Sequence, residues 1–122
     1  MLENIVLNQK SLIDDKKVFT IEIGKEIRRL RRRRGITGQE LAAYLGVSQQ
    51  QLSRYECGIC AIKLDYLMVL LHYLEVSVDS FFKNVLVNVF EENNEIGFRY
   101  YNIFFPLDDD VKYQGLNNGV FS

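Results

Sequence analysis

The chain has one proline, one histidine, two cysteines and no tryptophan. So little proline, beside a moderate glycine count, argues against a low-complexity or disordered polypeptide. The two cysteines, Cys57 and Cys60, are too few and too close together to be a disulfide framework, and a reducing compartment would hold them as thiols. The lone histidine, His72, cannot complete a four-ligand zinc site with them inside one subunit and is expected on a helix surface. No apolar run approaches the ~20 residues that a bilayer span needs, and Met1-Leu2-Glu3-Asn4 does not open like a signal peptide. The expectation is a cytoplasmic protein with no membrane contact.

What is present is 122 residues, 48% hydrophobic and 25% charged, enough for one folded domain with extensions. The net charge of −1 conceals a partition. Residues 1–23 carry 3 basic and 4 acidic side chains, residues 24–63 carry 9 and 3, and residues 64–122 carry 3 and 9. A basic middle beside an acidic C-terminal part is the pattern of a molecule that meets a polyanion with one side only. Charge alone favours the plainer reading, arginines on a solvated helix face, so the motifs have to decide.

Ile23, Ile27 and Leu30 fall four and three apart and line one side of a first helix, with Arg28, Arg29 and Arg31 to Arg34 on the rest; Gly35 can end it with a positive φ. Thr37 with Glu40 three residues on is a capping box for a second helix over residues 38–45, whose Leu41, Ala42 and Leu45 turn inward. After a three-residue turn, Ser48 and Gln51 repeat the pattern for a third helix ending near Gly58, with Leu52 and Tyr55 as core. Two short capped helices across a tight turn are a helix-turn-helix, and the small Ala42 permits their close crossing.

A fourth helix is expected over residues 64–74, and a fifth from Val78, capped by Ser77, to about Glu92, although residues 85–90 also read as a strand on β-branched content. Residues 98–105 look extended, Pro106 stops them, and residues 111–113 can return as a second strand, making a small β-hairpin. Residues 1–17 give no firm signal. The expected organisation is therefore all-α: an N-terminal extension 1–19, a five-helix domain 20–83 and a C-terminal extension 84–122.

Residues 23–82 resemble the lambda repressor/Cro (XRE) family of helix-turn-helix domains. The resemblance is carried by Ile27-Arg28-x-Leu30-Arg31, Gly35-Ile36-Thr37, Glu40-Leu41-Ala42, Leu45-Gly46-Val47-Ser48, Ser53-Arg54-Tyr55-Glu56-x-Gly58 and Leu74-x-Val76-Ser77-Val78-Asp79-x-Phe81-Phe82. It implies a lambda-repressor-like transcriptional regulator and an ion pair between Arg31 and Glu56. The stretch from Ser48 to Glu56 further resembles regulators of the MrpJ type, encoded with fimbrial operons, which implies control of fimbriae and motility.

A helix entering the major groove by its N-terminus presents its first turn and the next to base edges, here Gln49, Gln50, Ser53 and Arg54. Gln suits the adenine edge and Arg the guanine edge. Gln51 is set aside because of its capping role. Phosphate contacts are expected from the start of the second helix at Thr37 and Gly38, and from Arg32, Arg33 and Lys63. Many members of the family have Gln where Gly38 stands, which removes a side-chain contact there.

One helix reads few base pairs, so double-stranded DNA is expected to be bound by a homodimer on a palindromic operator. The interface is expected in the apolar C-terminal surplus: Val85, Leu86, Val89, Phe90, Phe98, Tyr100 and Phe104. The competing arrangement has this segment fold back on its own domain. No enzymatic activity, cofactor, metal or small-molecule substrate is expected. Two other readings are an antitoxin-like autoregulator whose C-terminal region binds a protein, and a redox sensor built on Cys57-Gly58-Ile59-Cys60.

Overall fold

The computed structural model describes residues 2–105. Among them are six helices and no strand: α1 Leu2–Arg33, α2 Gly38–Leu45, α3 Gln49–Glu56, α4 Leu64–Leu74, α5 Val78–Glu92 and α6 Asn94–Phe104.

The local stop and start signals explain most of these boundaries. Arg31, Arg32 and Arg33 occupy the last turn of α1, where cations complement the helix dipole. Gly35 then takes φ 67° and its amide donates to the Arg32 carbonyl at 2.9 Å. The Thr37 hydroxyl accepts from the Glu40 amide at 3.1 Å, and the Ser48 hydroxyl from the Gln51 amide at 3.0 Å. Each expected capping box thus forms its hydroxyl half. Ser77 caps α5 in the same way through the Ser80 amide.

Two sequence expectations are corrected. The first helix is not confined to the five-helix domain but runs 32 residues from Leu2, so one continuous rod covers both the expected N-terminal extension and the start of that domain. Residues 98–105 do not form a strand: α6 spans Asn94–Phe104, begun by the Asn93 side chain accepting from the Ile96 amide at 3.1 Å. The second half of the expected hairpin, residues 111–113, lies outside the described residues. Residues 85–90 are helical within α5.

The core gathers Ile27 and Leu30 of α1, Leu41, Ala42 and Leu45 of α2, Leu52 and Tyr55 of α3, four leucines of α4, and Phe81, Val85 and Val89 of α5, with Ile96 of α6 joining them. α6 folds back on α5 because Gly97 lies directly against the Phe90 ring, which a Cβ would meet at 2.6 Å. Asp15 of α1, itself buried, accepts from Arg99 Nη1 at 2.7 and 2.8 Å and from the Tyr100 hydroxyl at 2.7 Å. This triad, with the edge-on contact of Phe19 and Tyr100, ties α6 to the N-terminal half of α1.

The C-terminal surplus is accordingly divided. Val85, Leu86 and Val89 are buried within the protomer, so the expectation that they face a partner is corrected. Tyr100 and Phe104 are half-buried on the side of α6 towards α1, and Phe90 is half-buried against Phe98. Phe98 remains exposed, at 71%.

Candidate nucleic-acid interface

α3 is held from behind and presented in front. Its buried side, Leu52 and Tyr55, enters the core, and Glu56 is anchored by Arg31 of α1. Arg31 Nε donates to Glu56 Oε2 at 2.7 Å, Nη2 to Oε1 at 3.0 Å, and Nη1 to the Ile36 carbonyl at 2.9 Å. The fork geometry fixes α3 relative to both α1 and the turn leading into α2. Glu56 holds the Arg31 guanidinium above its usual pKa, first through this hydrogen bond and then through charge. The ion pair implied by the family resemblance is therefore present, and it is structural.

A second close approach seats α3. Gly24 of α1 lies against the carbonyls of Tyr55 and Glu56, and Gly58, with φ 72°, lies against the backbone of Ile21. Both helices can touch backbone to backbone only because these positions lack a side chain.

On the opposite side of α3, Gln49, Gln50, Ser53 and Arg54 are all exposed. Arg28 lies beside them: it lines a shallow groove with Arg31, Gly38, Gln49, Ser53 and Cys57. A Cβ at Gly38 would meet only Gln49 and Arg31 at ordinary contact distances, 3.9 and 4.0 Å, so packing does not demand glycine there. The Thr37 hydroxyl accepts the capping bond and keeps its own O–H for another acceptor. Lys63, at the N-cap of α4, is exposed.

The helix 1 arginines fall on different flanks. Arg29 donates to the buried Glu26 at 2.6 and 2.7 Å, and Asn84 of α5 donates to the same carboxylate at 3.2 Å, a bridge between helices. Arg34 pairs with Glu75 at 3.2 Å. Arg33 lines a recess with Arg29, Asn84 and Asn88, which places it on the α5 flank. Arg28, Arg32, Arg33 and Arg54 enter no ion pair among the described residues. Sequence reasoning named Arg32 and Arg33 and passed over Arg28. The signal was available, since Arg28 precedes Arg31 by three positions and so shares its side of the helix.

Cys57 caps the C-terminus of α3 and is exposed, Cys60 is half-buried, and both are free thiols. Among the described residues no group of three or more His, Cys, Asp or Glu could hold a metal ion, and no helix is long and apolar enough to cross a membrane.

Capped α2 and α3 across a Gly46 turn, braced on α1 with an exposed polar face on the second helix, define a helix-turn-helix domain of the XRE type. Residues 27–81 match the helix-turn-helix family model HTH_3. Over those residues the chain carries an XRE-type helix-turn-helix domain. Over 63 residues, 52% of its length, it is 36% identical to an uncharacterised HTH-type transcriptional regulator of Rickettsia conorii, of which the match covers 50%. A namesake in Rickettsia prowazekii is 35% identical over 63 residues and 48% of its length. The chain thus matches about half the length of these curated relatives. The solved structure of the clp gene regulator ClgR from Corynebacterium glutamicum is similar over 72% of this chain and 95% of that one, with a TM-score of 0.59 and 25% identity.

Proposed function

We propose that this protein regulates transcription by inserting the N-terminal part of α3 into the major groove of double-stranded DNA. The carrying observation is the face Gln49, Gln50, Ser53 and Arg54, exposed as a set on a helix whose other side is fixed by the Arg31–Glu56 fork. Gln50 and Arg54 read base edges, with Gln49 and Ser53 beside them. Phosphates are met by Thr37 and the amides at the start of α2, by Arg28 and Arg32, and by Lys63. Arg33, on the α5 flank, is not in this set.

A homodimer reads a palindromic operator, because one α3 covers too few base pairs to be specific in a genome. Its interface is the aromatic edge where α5 meets α6, at Phe90, Phe98 and Tyr101, supported by the exposure of Phe98 and Tyr101. The resemblance of residues 48–56 to MrpJ-type regulators supports fimbrial and motility genes as targets. Selection of bound duplexes from a random pool tests the reading: two symmetric half-sites about 10 base pairs apart, or a multiple of that, are expected. Enrichment of no motif would overturn the DNA-reading role, and enrichment of a single asymmetric half-site would overturn the dimer.

A further inference from the structure

On the flank formed by α1, the start of α5 and α6 lies an apolar groove of about 810 Å³. Phe19, Ile23, Phe82 and Phe104 line it, together with Ala61 of the segment between α3 and α4. Leu12 and Ile103 on its rim are 48% and 73% exposed. An open apolar surface of this kind costs free energy in water, and covering it recovers part of that cost.

The described chain ends beside this groove. Phe104 lines it, and the ring of Phe105 lies 5.6 Å from Lys83 Nζ, another lining residue. Residues 106–122 follow, and at about 3.4 Å per extended residue only a few of them are needed to cross a groove of that volume. Their first part combines Leu107, Val111 and Tyr113 with the run Asp108, Asp109 and Asp110. The groove offers apolar walls whose charged lining is Lys16, Lys83 and one acid, Asp79, a net positive charge to meet the three aspartates. Lys83 already holds Asp79 at 3.0 Å, while Lys16 enters no ion pair among the described residues.

We infer that the chain's own C-terminal segment docks in this groove, with Leu107, Val111 and Tyr113 covering Phe82 and Phe104 and the three aspartates meeting Lys16 and Lys83. The segment is tethered at the groove's edge, so closure is intramolecular and has only a short loop to order, which favours it over a free molecule of the same chemistry. The occupied groove lies apart from the exposed face of α3 and from the Phe90–Phe98 edge, so the inference stands independently of the DNA reading.

The test uses the full chain, with its methyl groups labelled for nuclear magnetic resonance and mixed with unlabelled chain. Intramolecular cross-peaks are expected between the Leu107 and Val111 methyls and the Phe82 and Phe104 rings. An apolar dye should bind weakly to the wild type and several-fold more to a variant in which Asp108, Asp109 and Asp110 are replaced by Lys. A Lys16→Glu, Lys83→Glu double variant should gain dye binding likewise, and combining both sets of reversals should restore low binding. Absence of the cross-peaks with equal dye binding in all variants would overturn the inference. So would cross-peaks seen only between labelled and unlabelled chains, which would seat a second copy in the groove, or native mass spectrometry that finds a co-purified amphipathic molecule there.

Discussion

Gly24 of α1 packs face-on against the carbonyl oxygen of Tyr55 in α3, with no room for a β-carbon between them. The same position would bring a β-carbon within 2.8 Å of the Glu56 carbonyl. Both neighbours are backbone, which cannot swing aside as a flexible side chain would. Gly24→Ala gains up to ~1 kcal/mol of helix propensity, but moving α3 costs about 1–3 kcal/mol. The variant is expected to melt lower than the wild type by several degrees and to bind DNA more weakly, because the reading helix is displaced. A melting temperature above that of the wild type would mean that the two helices have slack.

Gln50 and Arg54 stand on the exposed side of α3 and contribute nothing to the core. Gln50→Ala and Arg54→Ala should leave thermal stability within about 0.5 kcal/mol of wild type. Each should weaken binding to the selected operator by about 1–3 kcal/mol and relax the preference at one base position per half-site. Unchanged base preferences in both variants would remove α3 from the reading role.

Arg28 and Arg33 stand on different flanks of α1, and the proposed phosphate contacts fall on the first of them only. Arg28 borders Gln49 and Ser53, whereas Arg33 borders Asn84 and Asn88. The slope of log K against log salt should therefore fall by about one unit in Arg28→Ala, the loss of one phosphate contact, and stay constant in Arg33→Ala. Equal effects of the two changes would show that these arginines act only as diffuse charge.

The helix-turn-helix was legible because its signals are local. Thr37, Ser48 and Ser77 announce helix starts within four residues, and Gly35 and Gly46 announce stops, whatever the rest of the chain does. α6 was missed because its aromatic and β-branched content favours strand by propensity. Yet Ile96, Tyr100 and Phe104 recur every four residues on the side facing inward, and tertiary burial overrides propensity there. The early half of α1 was missed for a related reason. Its inward side is broken by Asp15, whose polarity makes sense only once Arg99 and Tyr100, more than eighty residues away, are in place. The dimer assignment of Val85 and Val89 failed on the same point, since they share a core with Ile96 of a helix that composition had read as extended, and Leu86 is buried in the protomer as well.

The Asp15 triad is expected to make the docking of α6 weaken at alkaline pH. The Tyr100 hydroxyl donates to Asp15 Oδ2, and this hydrogen bond is the main reason that its pKa is raised above the usual phenol value; burial and the negative charge of Asp15 act in the same direction, with Arg99 opposing. A group with its folded pKa above its unfolded one contributes stability that is fully present below the unfolded value, near 10, and lost as pH rises through the folded value. Once ionised, Tyr100 would place an anion against the Asp15 carboxylate and have no proton to donate. At pH 8, Tyr100→Phe should cost about 1 kcal/mol, the net worth of the hydrogen bond. The gap between wild type and variant should then narrow steadily in melts taken upward from about pH 10, because only the wild type still has a contribution to lose. Loss of α6 can be followed separately by hydrogen exchange at the Ile96 amide, which should become unprotected in the wild type before global unfolding. A stability gap that stays constant across this range would show that Tyr100 titrates alike in the folded and unfolded chains, and that α6 is held by Arg99 and apolar packing alone.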